Sequence, residues 1–263
     1  MKSSFSIESP KEAPALTRRA FTLQSVRTLL SFSLIETLCR QELFAENVSP
    51  EMIKWLNDVN ELGAILKQRD IEPTAWQPQI ETLFRQVDMT EIFKFIDFDR
   101  IDRKAKPPKR GAQSIRFKYP QIAGVPEKLA FGQQIFALRK GRSVVPHGHN
   151  NMATAFLILK GEFQGKHYDR LEDEKEHLII KPTIDRKFTP GDYSTVSDYK
   201  DNVHWFKALE EPAYIFNIHI LDVAPKAKRR TGRVYVDPNG EKIADGLIRA
   251  RRINYERAHK LYG

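Results

Sequence analysis

Residues 144–161 read VVPHGHNNMATAFLILKG, two histidines one residue apart followed by an apolar run that ends at Gly161. In a β-strand side chains alternate, so His147 and His149 share a face and stand about 6.5–7 Å apart along the chain. Two imidazoles so placed can chelate one ion. Pro146 and the intervening Gly148 each restrict the local backbone in a different way. Bonding to backbone carbonyls is the ordinary alternative for such histidines.

The sequence around this pair changes texture at about Gln113. Beyond it come short β-rich runs, SIRFKY, FGQQIFALRK, TAFLILKG, EFQGKHY, HLIIKP, DYSTVS and AYIFNIHILDV, punctuated by Pro, Gly, Asp or Asn. Such spacing predicts an all-β sandwich or barrel over 105–224. Before it, 48–104 reads as helices. Ser49 is placed as an N-cap with Pro50 at the first helical position. Met52, Trp55, Leu56, Val59, Leu62 and Leu66 then recur at helical spacing. Trp76, Ile80, Leu83, Phe84 and Val87 repeat the pattern, and Thr90 is expected to cap the next helix. After Asp222, the stretch 225–263 reads as a basic extension, with a hairpin signal at Asn239-Gly240 and a terminal helix over LIRARRINYERAHKLY.

At 263 residues the chain suits one sizeable domain with attachments, and 41% apolar with 29% charged residues is ordinary for a globular protein. The lone cysteine, Cys39, excludes an internal disulfide, thiolate zinc modules and iron–sulfur clusters. A bound metal must therefore be held by His, Asp or Glu. The net charge of +9 is concentrated in the final forty residues and in KAKPPKRGAQSIRFK, 104–118. Neither carries a nucleic-acid motif or interleaved aromatics, so solvated surface or acidic partners are expected rather than nucleic acid. No apolar run is long enough for a transmembrane helix. Over 1–47, LTRRAFTL resembles a degenerate twin-arginine export signal, against the alternative of an amphipathic helix, which leaves cytoplasm and periplasm both open.

Gly141 before the pair and Gly161 after it frame a pattern that resembles the first motif of the cupin superfamily. Its glutamate slot falls on Thr154. That resemblance implies a double-stranded β-helix barrel and a further histidine from a later strand, supplied by His204 in DNVHWFKA. The flanks of His204 depart from the general pattern: Asp201 replaces a glycine, Tyr199 a proline and Ala208 an asparagine. Among the branches, the chain is most similar in motif to the three-histidine thiol dioxygenases of the cysteamine and N-terminal-cysteine type. Gly161, Tyr168 and Asp169 of HYDR, and Asn202, His204, Phe206 and Ala208 carry that similarity. It implies a divalent metal on His147, His149 and His204, Fe(II) above all, with Zn or Mn as alternatives. A small thiol or other chelating substrate and O2 would take the open positions. It also implies Asp169 and Tyr168 as candidate catalytic groups, and a homodimer formed through barrel faces.

Around this core, Asn150, Asn151, Thr154 and Phe206 are candidates to orient ligands or line the pocket. His219 competes as a third or fourth ligand. His167, His177 and His259 stand in polar surroundings and are expected at the surface. A non-catalytic metal- or ligand-binding barrel is the second reading, because fold alone does not fix function.

Overall fold

The computed structural model describes residues 48–263 apart from 118, 120, 121 and 228. The export-signal reading of 1–47 lies outside the described residues. Four helices come first: α1 (Pro50–Gln68), α2 (Pro73–Gln86), α3 (Met89–Phe95) and α4 (Phe98–Lys104). Ser49 caps α1 by accepting the Met52 N–H at 3.2 Å, and left-handed Arg69 ends it. All six apolar residues expected on its buried face are buried. Thr90 is not the cap of α3. Asp88 is, accepting N–H groups from Thr90 and Glu91, because the helix starts two residues earlier.

Eleven strands follow: β1 (Gln113–Ile115), β2 (Gly132–Leu138), β3 (Ser143–Asn150), β4 (Met152–Lys160), β5 (Phe163–Asp173), β6 (His177–Phe188), β7 (Tyr193–Val196), β8 (Val203–Ala208), β9 (Ala213–Leu221), β10 (Gly232–Lys242) and β11 (Ile248–Ile253). A final helix, α5 (Tyr255–Tyr262), is capped by Asn254. The strands form a five-stranded sheet in the order β1-β2-β9-β4-β7 and a closed barrel in the order β10-β11-β6-β5-β8-β3, with antiparallel pairing throughout. The chain is mainly β, as its texture after Gln113 predicts.

Alternation along the strands assigns each face a partner. On β9, Ile215 points to an apolar cluster shared by the two sheets, with Phe136, Phe156, Phe163, Phe188 and Phe206. Tyr214, Phe216, Ile218 and Ile220 point the other way, into a larger cluster with Trp55, Trp76, Ile80 and Phe84 of the helices. The helical segment therefore covers the outer face of the five-stranded sheet, and its aromatics are core. Polar anchors fix the contact. Buried Gln77 donates to Thr195 Oγ1 at 3.2 Å and accepts from Ser197 Oγ at 2.9 Å. Asp102 accepts from Lys160 and Tyr214 at 2.7 and 2.6 Å.

The stretch 225–263 differs most from expectation. It is not an appendage: β10 pairs with β3 and β11 with β6, which closes the barrel. Tyr168, Leu178, Ile180, Val203, Val236 and Ala250 fill its interior. LIRARRI looks helical and basic because arginines hold the solvent side of β11 while Ala250 alone is buried there. Helix begins only at Tyr255. Asn239-Gly240 is not the hairpin turn either. It lies in a bulge, where Gly240 admits the Arg249 carbonyl, and the chain reverses at Ala244–Gly246.

Candidate metal centre

β3 is the wall between two interiors. His147 and His149 face the cluster between the sheets, whereas a Cβ on Gly148 would lie 2.6 Å from Asn202 Oδ1 and 3.2 Å from Val203 and Val234. Glycine is needed there for close packing, and this packing aims the flanking imidazoles. His204 on β8 stands opposite His147 in the register. The ring centroids of the three histidines lie 4.4–5.0 Å apart, and one nitrogen from each falls within 4.8 Å of the others.

Hydrogen bonds set the tautomers. His147 Nδ1 lies 2.7 Å from the Val145 carbonyl and His204 Nδ1 3.1 Å from that of Asn202. A carbonyl only accepts, so both Nδ1 atoms carry the proton and both Nε2 atoms are bare lone pairs. His149 Nδ1 lies 3.2 Å from Thr154 Oγ1, which leaves its Nε2 turned toward His147 Nε2 at 3.2 Å. His204 Nε2 is buried with no hydrogen-bond partner among the described residues. The bare Nε2 atoms of His147 and His204, converging with Nε2 of His149, fit a divalent cation. Burial holds the pKa of all three below the ordinary histidine value, that of His204 at about 3, and nearby Arg233 pushes in the same direction. They are neutral at neutral pH, the form that ligates.

Asn202 is the clamp of the arrangement. Its backbone carbonyl accepts from His204 Nδ1–H, while its side-chain amide donates to the carbonyls of His149 and Ser197, each at 2.9 Å. Arg170 braces the same strand, donating to the His149 carbonyl and to Asn150 Oδ1 while its other nitrogens grip Asp173.

Among the described residues no Asp or Glu lines the pocket at the histidines. Its remaining polar walls are Thr154, Asn217, His219 and Arg233. Phe156, with its ring centroid 5.0 Å from that of His204, and Phe206 behind it form an apolar floor. His219 lies at the pocket wall beside Asn217 rather than within the three-nitrogen group, its pKa pushed down to about 4 by burial, with Arg233 and Arg116 adding to the effect.

Other candidates go elsewhere. Asn151 adopts φ 55° at the β3–β4 turn and binds Ala224 N–H and Thr231 Oγ1, so it anchors the loop after β9 and not a histidine. Tyr168 faces the second interior because it alternates with Gly165 and His167. Asp169 lies just past the end of the β5–β8 ladder, where it accepts the Asp201 N–H at 2.8 Å. Neither lines the histidine pocket. His167 is not at the surface but fully buried, 3.4 Å from Ser194 Oγ and opposite His204. Its polar neighbours GK and YDR hide this, and its parity with Phe163 is the signal that reveals it. His177 and His259 are half-buried, with the His259 ring against Gly111. Arg233 was not among the expected site residues, since it stands in the stretch read as an extension.

No family model and no curated protein matches the sequence. Solved structures do. A protein with a double-stranded β-helix domain from Klebsiella pneumoniae is similar at 15% identity, over 51% of this chain and 85% of that one, with a TM-score of 0.33. A cupin superfamily protein from Desulfitobacterium hafniense is similar at 17% identity, over 45% and 84%, with a TM-score of 0.30. Procruciferin, an 11S globulin of Brassica napus, aligns at 11% identity over 40% of this chain, which spans 22% of that one, with a TM-score of 0.31. In its own architecture the chain is a mainly-β protein in which two neighbouring strands of the closed barrel, β3 and β8, bring His147, His149 and His204 together in a group able to hold a metal ion.

Proposed function

We propose that the chain is a metal-dependent cupin that binds a divalent ion, Fe(II), through His147, His149 and His204 and oxygenates a thiol or another small chelating substrate. The observation that carries this reading is a three-histidine group with no carboxylate in the pocket lining among the described residues, and with Thr154 in the slot of the motif glutamate bonded to His149. Bound there, such an ion supplies Lewis acidity, redox capacity and open coordination positions for substrate and O2. Neutral imidazoles leave its double positive charge uncompensated, which favours anionic groups beside it.

The chain's own residues do the rest. Thr154 and Asn202 orient the imidazoles, and Phe156 and Phe206 exclude water from below. Arg233 adds positive charge at the pocket wall and stabilises a thiolate over a thiol. The test is O2 uptake by anaerobically purified, Fe(II)-loaded protein given cysteine, cysteamine, 3-mercaptopropionate or an N-terminal-cysteine peptide. Uptake with one of them, lost in His204→Ala, is expected. No uptake with any removes the thiol assignment.

A non-catalytic metal-binding barrel is the second reading. It draws on the space beside the histidines, ≈ 10 Å³, which is room for about one water. Stoichiometric metal with no oxygen consumption would select it.

A further inference from the structure

That pocket is too small for an organic substrate, yet a second cavity of ≈ 460 Å³ adjoins it, and Met152 lines both. The larger space has the size of an ordinary small-molecule site. It lies between the end of α1, the start of α2, the β3–β4 turn and the loop after β9. Its walls are tied in place. Asn151 holds the loop through Ala224 and Thr231, and Asp198 accepts the N–H groups of Asn151 and Met152 at 2.7 and 3.3 Å. The backbone of Met152 is therefore fixed, while its side chain is unbranched with three rotatable bonds, and this residue lines both spaces.

The lining of the cavity names a ligand class. Leu66, Ile71, Pro73 and Val223 give it an apolar side. Its cations are Arg69, Lys226 and Arg229, and its acids Glu72 and Asp198. Asp198 already accepts two backbone N–H groups, and Arg229 is paired with Asp173 outside the cavity. Three cations against two acids leave the lining with a surplus of one positive charge. On the far side of Met152, Arg233 extends the positive field to the histidines. We infer that this cavity is the substrate chamber of the histidine centre and takes a small organic anion with an apolar body, whose reactive end passes Met152. The substrate assignment rests on the metal reading above; the chamber and its ligand class do not.

Octanoate is a suitable probe. Calorimetric titration into chelator-treated full-length protein should show binding that Lys226→Glu weakens on the order of tenfold, since one cation facing the anion becomes an anion. Val223→Trp, which fills the chamber, should abolish it. Lys226→Glu alters an exposed loop residue and serves if the Val223 variant fails to fold. In Co(II)-loaded protein, octanoate should shift the visible Co(II) bands, with a midpoint that moves by the same factor in Lys226→Glu. Absence of binding, or equal affinity in wild type and Lys226→Glu, overturns the chamber. Charge-sensitive binding that leaves the Co(II) bands unchanged overturns its link to the centre. A chain that binds octanoate in this way but takes up no Co(II) overturns the substrate assignment through the metal reading, and the organic-anion chamber stands.

Discussion

Thr154 Oγ1 lies 3.2 Å from His149 Nδ1, so the residue in the slot of the motif glutamate instead holds a candidate ligand by its outer nitrogen. Thr154→Val keeps the shape and removes the oxygen. Metal affinity should fall by roughly 10-fold or more, as for other partners of ligating histidines. Competition with a chelator measures it, and an unchanged affinity would show that Thr154 is mere packing.

Asn202 ties the two strands of the site together: its backbone carbonyl accepts from His204 Nδ1 and its side-chain amide donates to the backbone carbonyl of His149. Asn202→Ala keeps the backbone carbonyl that accepts from His204 and removes only the amide, so metal affinity should fall by about 10-fold at most. Loss of the amide also removes a donor from the buried Ser197 carbonyl, at a cost of about 1–3 kcal/mol to stability, while Arg170 still serves the His149 carbonyl.

Ile218→Ala provides the contrasting case. This side chain is buried on the outer face of β9 against the helices. Its truncation should destabilise the fold by about 2–5 kcal/mol in denaturant unfolding. The metal affinity of the folded protein should stay at the wild-type value, because Ile218 faces away from the centre.

Acid should weaken the metal-free protein. The folded pKa values of His147, His149, His167 and His204 are depressed by burial, that of His204 to about 3, against about 6.5 when unfolded. Between those values the unfolded chain binds more protons, so stability is fully present above about pH 6.5 and falls as pH drops. Each such histidine contributes a slope of about 1.4 kcal/mol per pH unit. Urea midpoints of chelator-treated protein between pH 7 and pH 4 measure the slope, and Phe substituted for His167 should reduce it.

Much of this was legible in the sequence, for identifiable reasons. α1 announces itself because Ser49, Pro50 and a 3.6-residue apolar period agree. The histidine pair was legible because Gly148 and alternation fix its face. The strands of 225–263 were not, since β11 buries only Ala250 completely and offers arginines elsewhere, so no alternating apolar pattern exists to read. Arg233 went unseen with them. Tyr168 and Asp169 were candidates through a motif that specifies neighbours along the chain, whereas the register of β5 against β8 decides which of its side chains meet His204. His167, dismissed for its polar neighbours, is the one that does.

The central claim is that the three histidines hold a divalent ion with no carboxylate. Elemental analysis of wild-type protein beside His204→Ala tests it most directly. Stoichiometric divalent metal is expected in the wild type, and its loss in a variant that remains folded by circular dichroism. Metal-poor wild-type protein that takes up no Fe(II), Zn(II) or Mn(II) on reconstitution, or equal metal in both proteins, would contradict it.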